Sequence, residues 1–146
     1  MSTRFGRILV AVDGSAPSHA AAVLAAELAH TYAAELIVVH VVEEDVAEEL
    51  RRLSGKSAAE AQEALSEEGR RLLQEMEKIA QEHWLTVVSL LRHGIAHELL
   101  VDLAREKHVD LIVMGKVGRR GARRVLMGSV TQRVIDLSEA PVLVVK

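Results

Sequence analysis

The pattern in this sequence best suited to chemistry is a set of glycines that ends in a serine. Gly115 and Gly118 are separated by two residues, and nine further residues precede Gly128-Ser129. Glycine tolerates positive φ and has no Cβ to keep the backbone away from a phosphate group. A helix that opens at Ser129 would present the unpaired amides of its first turn at the positive end of its dipole. The spacing therefore predicts a loop and a helix start that bind phosphate.

Hydroxyl groups and cations around these glycines point to the same chemistry. Ser129 and Thr131 carry hydroxyls that can donate to phosphate oxygens, and Val130 between them adds a backbone amide. Five cations lie in this loop of a chain whose net charge is -3: Lys116, Arg119, Arg120, Arg123 and Arg124. Taken singly, glycines that make turns, a serine that caps a helix and solvated arginines need no ligand. Their combination predicts a nucleotide site.

A carboxylate lies in a second loop, Asp13-Gly14-Ser15, which follows the first predicted strand. In sheets of parallel strands, ligands bind beyond the carboxyl ends of the strands, where the strand order reverses. Both loops follow strands in this way. Two roles are open for Asp13: it caps the helix that follows, or Ser15 caps that helix and leaves Asp13 to face a ligand.

Short apolar runs alternate with amphipathic segments along the chain. The apolar runs predict five strands, at residues 7–12, 36–42, 86–91, 110–114 and 142–145, and helical periodicity predicts helices at 16–32, 57–82, 96–107 and 129 to about 137. We interpret the polar, acidic segment 43–56 as an exposed excursion of uncertain order. This alternation predicts a doubly wound, five-stranded parallel sheet in a three-layer α/β/α fold, with residues 1–146 forming one domain.

Composition limits the function classes that remain. Apolar residues make up 49% of the chain and aromatic residues only 2%, so the core must be aliphatic. The absence of cysteine excludes disulfides, thiol catalysis and cysteine-ligated zinc. No apolar run is long enough for a membrane helix or a signal peptide, so we expect a cytoplasmic protein with no membrane partner. The negative net charge argues against nucleic-acid binding.

Two motifs with chemical associations do not meet the requirements of that chemistry. Residues 54–57 read Ser-Gly-Lys-Ser, the tail of a Walker A motif, but Leu50 stands where its first glycine belongs and no predicted strand precedes it. His93 and His97 have the i, i+4 spacing of a helical metal pair. Gly94 and a predicted strand-to-helix junction lie between them, which argues against a shared helix face.

Two further residues are predicted to be structural. His40 lies within an apolar strand, where a buried, hydrogen-bonded histidine is more common than a catalytic base. Trp84 follows the long helix 57–82 and is predicted to pack at its end or anchor it, rather than to stack on a ligand.

The glycine pattern, placed directly after the strand that ends at Met114, resembles the nucleotide motif of the universal stress protein family. The opening strand and turn at 8–15, His93-Gly94 before a helix, and the closing segment 138–145 are similar to the same family. The resemblance implies an adenine-nucleotide alpha-hydrolase-like fold with strand order 3-2-1-4-5.

It also implies ATP as the ligand, with Mg or Mn between Asp13 and the phosphates and no tightly held structural metal. Ala11 and Val12 would flank Asp13, and the backbone of Val41 would meet the adenine. The nucleotide-binding residues expected in this way are Ala11, Val12, Asp13, Val41, Met114, Gly115, Lys116, Gly118, Gly128, Ser129, Val130 and Thr131.

The resemblance further implies a regulatory, ATP-binding role in the stress response, with no catalytic residue. Two alternatives stay open: a nucleotide-independent dimeric interaction module and a slow ATP hydrolase. In the implied strand order, the last strand Val142–Val145 lies at a sheet edge. Four consecutive apolar residues defend such an edge poorly against pairing, so we expect a homodimer through this strand.

Overall fold

Five strands and five helices make up the part of the chain that the computed structural model describes, residues 4–118 and 127–146. In chain order they are β1 Arg7–Ala11, α1 Ala16–Tyr32, β2 Glu35–Val42, α2 Glu44–Ser54, α3 Ala58–Glu82, β3 Val87–His93, α4 Ala96–Glu106, β4 Leu111–Gly115, α5 Ser129–Leu137 and β5 Val142–Val145. The five predicted strands and four predicted helices are confirmed, with ends that shift by one or two residues.

The five strands form one parallel sheet in the order β3-β2-β1-β4-β5, as predicted. The central strand β1 pairs with β2 and β4, so that Val10 lies beside Val38 on one side and Val113 on the other. The order reverses between β1 and β4. The carboxyl ends of these two strands therefore flank the position where a doubly wound sheet binds its ligand.

Alternate strand residues pack into two aliphatic cores, one on each face of the sheet. Ile8 and Val10 belong to the core under α1 and α3, whereas Leu9 belongs to the core under α4 and α5. All three are fully buried. This burial on both faces explains why β1 is apolar from Ile8 to Ala11 without a break, rather than at alternate positions.

The interpretation of residues 43–56 as an excursion of uncertain order was wrong, because most of the segment is the helix α2. Its first turn carries two acidic residues and its last turn two arginines, an arrangement that complements the helix dipole. Ala47 is the only residue of α2 that is buried. A helix that buries so little has a weak apolar pattern, and the acidic composition hid it.

The residues that imitate a Walker A tail join two helices instead of binding phosphate. Gly55 ends α2 with φ of 71°, a conformation that favours glycine. Ser57 caps α3 through a capping box with Glu60. Hydrogen bonds with Ser57 hold the pKa of Glu60 below its usual value; the bond with the side chain contributes most and the bond with the backbone contributes next.

Trp84 neither packs nor anchors the end of α3, contrary to the prediction. It is 92% exposed and has φ of 57°, so the turn that ends the helix directs its indole into solvent. Leu85, the next residue, packs against the core under α1 and α3 instead. Within residues 4–118 and 127–146, no helix is long and apolar enough to cross a membrane.

Candidate functional site

The turn after β1 holds Asp13 through the residue that caps α1. Ser15 is the N-cap, since its hydroxyl accepts a hydrogen bond from the amide of Ser18 at 3.2 Å. Asp13 accepts hydrogen bonds at Oδ1 from the amide and the hydroxyl of Ser15, at 2.9 and 2.5 Å. Gly14 between them has φ of 86°, a conformation that few other residues adopt. Ser15 therefore caps the helix, and Asp13 braces the cap.

The loop after β4 lies against this turn. A Cβ placed on Gly118 would stand 2.7 Å from Oδ2 of Asp13. A Cβ on Gly115 would stand 2.8 Å from the carbonyl carbon of Pro17 and 2.9 Å from the amide nitrogen of Ser18. The structure thus brings together the two loops that the sequence selected. Neither glycine has a positive φ, and at Gly115 the backbone of Pro17 and Ser18 leaves no room for a Cβ.

The start of α5 lies against the loop after β4. The amide of Gly128 donates to the carbonyl oxygen of Lys116 at 2.8 Å, and a Cβ on Gly128 would lie 3.4 Å from the amide nitrogen of Gly118. Gly128 is the N-cap, and among the described residues no side chain caps this helix. Ser129 is exposed. The positive end of α5 therefore faces outward beside Gly118 with its first amides available to an anion.

The sequence suggested that the hydroxyl of Thr131 donates to a phosphate, but the structure directs it to the protein backbone. Thr131 is 3% exposed, and its Oγ1 donates to the carbonyl oxygen of Gly115 at 2.9 Å. Val130 packs against the core under α4 and α5. Of the residues predicted at this helix start, Ser129 is exposed and Val130 is half-buried.

The remaining predicted residues lie along the same edge of the sheet. Ala11 ends β1 opposite Val39, and Val41 lies two residues further along β2. Val12 and Met114 are buried, so their side chains belong to the two cores and only their backbone can face a ligand. Arg119, Arg120, Arg123 and Arg124, the predicted cations after Gly118, lie outside the described residues.

Three buried polar side chains hydrogen-bond the backbone of the two loops. None of them was assigned this role from the sequence. His40, which was predicted to be structural, donates from Nδ1 to the carbonyl oxygen of Val12 at 2.7 Å. Ser18 accepts from the amide of Asp13, and Thr131 bonds the carbonyl of Gly115. Ser18 has only a weak sequence signal, a small hydroxyl residue in the first turn of a helix.

These groups suit an anion together with a hard cation. The uncapped amides of α5 complement phosphate, as would the ammonium of half-buried Lys116, and the carboxylate of Asp13 is a ligand type that Mg²⁺ accepts alongside phosphate oxygens and water. Within residues 4–118 and 127–146, no three histidines or carboxylates lie together as a metal-binding group. His93 bonds the hydroxyl of Ser66 at 2.9 Å. A cation here would be shared between Asp13 and the phosphate oxygens of a ligand.

Cavity volume alone favours the opposite end of the sheet. A cavity of about 490 Å³ opens there among residues that include Phe5, Val109, Asp110 and Pro141. At the carboxyl end, a cavity of about 60 Å³ lies between the turn at Gly14 and helix α3. We nevertheless place the site at the carboxyl end, because the reversal of strand order, the contact between the loops and the uncapped helix start coincide there.

Comparison with known proteins gives the family. A family model described as "Universal stress protein family" matches residues 4–146. The chain belongs to the universal stress protein family. Among its relatives, universal stress protein MJ0531 of Methanocaldococcus jannaschii is 36% identical over 142 residues, which cover 97% of this chain and 82% of the relative. Universal stress protein YxiE of Bacillus subtilis is 35% identical over 149 residues, which cover 97% and 99%.

Solved structures of other universal stress proteins share the fold. The structure of MJ0577, also from M. jannaschii, superimposes with a TM-score of 0.82 at 29% identity, over 98% of this chain and 96% of that one. A universal stress protein in complex with cAMP superimposes with a TM-score of 0.70 at 25% identity, over 97% and 96%. The similarity therefore covers the whole sheet and the helices on both of its faces.

Proposed function

We propose that this universal stress protein binds an adenine nucleotide, ATP together with Mg²⁺ or Mn²⁺, where the turn after β1 meets the loop after β4. The observation that carries the proposal is the contact between those loops, in which Gly118 lies against Asp13 and the uncapped start of α5 lies against Gly118. The universal stress protein that was solved with cAMP supports the choice of an adenine nucleotide.

Each group in the site has a distinct task in this proposal. The amides of Ser129 and Val130, the hydroxyl of Ser129 and the ammonium of Lys116 would hold the phosphates. Asp13 would accept a divalent cation that also binds phosphate oxygens. The strand ends at Ala11 and Val41 would contact the nucleoside. The protein would act as a regulator in the stress response, with nucleotide occupancy changing its shape or its choice of partner.

Substitutions of Gly128 test whether the start of α5 binds phosphate. Its φ of -66° and ψ of 152° suit any residue, and the contacts of an added Cβ are tight but not prohibitive. Gly128→Ala and Gly128→Ser add the same Cβ, but only serine adds a hydroxyl that bonds the amides of its own helix. We expect serine to weaken ATP binding more than alanine while stabilising α5 by a few tenths of a kcal/mol. The larger Gly128→Val should abolish binding by displacing residues 116–118.

Isothermal titration of each variant with Mg-ATP, together with urea denaturation, measures both effects. Serine and alanine variants with equal ATP affinity would refute the phosphate assignment. A wild-type protein that neither binds ATP nor releases nucleotide on denaturation would favour a nucleotide-independent interaction module. Competition with AMP and cAMP then ranks the nucleotides.

We further propose that the protein forms a homodimer through β5. This strand lies at the edge of the sheet, and all four of its residues are partly exposed. Leu143 and Val145 pack toward the core under α1 and α3, and Val142 packs toward the opposite core. An apolar edge strand of this kind is readily covered by the same strand of a second copy across a two-fold axis.

A further inference from the structure

Buried side chains hydrogen-bond both polar atoms of one peptide group, the one that joins Val12 to Asp13. Its carbonyl oxygen, on Val12, accepts from Nδ1 of His40 at 2.7 Å. Its amide, on Asp13, donates to Oγ of Ser18 at 3.2 Å. His40 is 7% exposed and Ser18 is 5% exposed, and the bond from His40 to Val12 is buried. The plane of this peptide group sets the direction in which Asp13 leaves the sheet.

The hydrogen bond from His40 lies where the strand ladder stops. The amide of Val12 still bonds the carbonyl of Val39 at 2.9 Å, but β1 ends at Ala11 while β2 continues to Val42. The imidazole takes up the carbonyl of Val12 just where the chain leaves the sheet. Because a carbonyl oxygen can only accept, Nδ1 of His40 must carry a hydrogen.

Helix α3 has a glycine where it packs on the imidazole of His40. Gly69 lies near the middle of α3, although glycine is among the least favourable residues for a helix interior. A Cβ at this position would stand 2.4 Å from Cδ2 and 3.1 Å from Nε2 of His40. The ring is therefore confined between α3 and the end of β1, with Nδ1 directed at the carbonyl oxygen of Val12.

We propose that His40 is a positioning residue for the nucleotide site. Through the Val12–Asp13 peptide group it fixes the carboxylate of Asp13 beside Gly118, without touching the ligand itself. This inference rests on the proposed function, because it assigns a supporting residue to the same site. Ser18, in α1, accepts from the amide of the same peptide group, and we call His40 and Ser18 together the clamp.

Paired substitutions separate positioning from general stability. His40→Leu removes the donor, whereas His40→Asn keeps one, since the amide nitrogen of asparagine is as many bonds from Cα as Nδ1 of histidine. His93→Leu is the matched control, because it removes a histidine that bonds buried Ser66 and faces the same helix but does not touch the Val12–Asp13 peptide group. We expect His40→Leu to weaken Mg-ATP binding about tenfold. The His40→Asn and His93→Leu variants should stay within about twofold of wild type.

Measurements without nucleotide test the clamp independently. NMR should find the imidazole hydrogen of His40 on Nδ1, and the amide of Asp13 should exchange at least about tenfold faster in His40→Leu than in wild type or His40→Asn. A hydrogen on Nε2 alone, or ATP binding by His40→Leu equal to wild type, would overturn the inference. A wild-type protein that binds no ATP would instead overturn the proposed function.

Discussion

Replacing Gly69 by alanine should destabilise the protein, although the same change stabilises most helices. In an exposed helix interior, glycine to alanine contributes about 1 kcal/mol of stability. Here the new Cβ would stand 2.4 Å from Cδ2 of His40 and 2.8 Å from Cδ1 of Leu91. Leu91 can adjust at the end of its side chain. The imidazole cannot move without losing its hydrogen bond to Val12, which is worth about 1 kcal/mol.

The net magnitude follows from these opposing effects. Overpacking a close-packed interior costs about 1–3 kcal/mol, and a lost hydrogen bond adds about 1 kcal/mol. After the gain in helix propensity, we expect a net loss of about 2 kcal/mol in the free energy of unfolding. For a chain of this size that loss lowers Tm by about 4–8 °C.

Urea denaturation with a double-mutant cycle measures the effect and its cause. With an unchanged m-value, the shift in midpoint reports the change in free energy of unfolding. In a His40→Ala background the ring is absent, so Gly69→Ala should lose most of its cost there. A Gly69→Ala variant more stable than wild type would refute the packing of α3 on His40. An equal cost in both backgrounds would show that the ring is not what the new Cβ meets.

Substitutions at three further positions test other parts of the structure. Asp13→Ala should weaken ATP binding more with Mg²⁺ than in EDTA, as measured by titration calorimetry; equal losses would show that Asp13 binds no cation. Thr131→Val should cost about 1–3 kcal/mol in urea denaturation, because it leaves the carbonyl of Gly115 without its buried donor, and Thr131→Ser should recover most of this. Val144→Lys places a charge on the edge strand and should convert a wild-type dimer to monomers in sedimentation experiments. A wild-type monomer, or a variant that stays dimeric, would refute the β5 interface.

The fold could be predicted from sequence because its signals are local and redundant. Most residues of each strand are apolar, and Ile8, Leu9 and Val10 fill cores on both faces of the sheet. The amphipathic helices between the strands leave few arrangements other than a doubly wound parallel sheet. The two site loops could be chosen for the same reason, since they follow the two strands between which the order reverses.

The errors arose where a residue's role depends on distant neighbours. No local pattern in the sequence indicates that Gly115 packs on the backbone of Pro17, nearly 100 residues away, or that Gly118 lies against Asp13. Thr131 was assigned to phosphate for its hydroxyl, which the structure directs to the carbonyl of Gly115. The exposure of Trp84 depends on a left-handed turn that its side chain does not favour. Such long-range contacts leave no trace in local spacing.

The measurement that tests the central claim most directly is an NMR titration of the amide groups with Mg-ATP. The proposed site predicts the largest shifts at Asp13, Gly118 and Ser129, at the carboxyl ends of β1 and β4. The cavity of about 490 Å³ at the other end of the sheet should be unaffected, with Val109 and Ala140 as its reporters. Saturable shifts confined to Val109 and Ala140, with none at Asp13 or Gly118, would contradict the assignment of the nucleotide site.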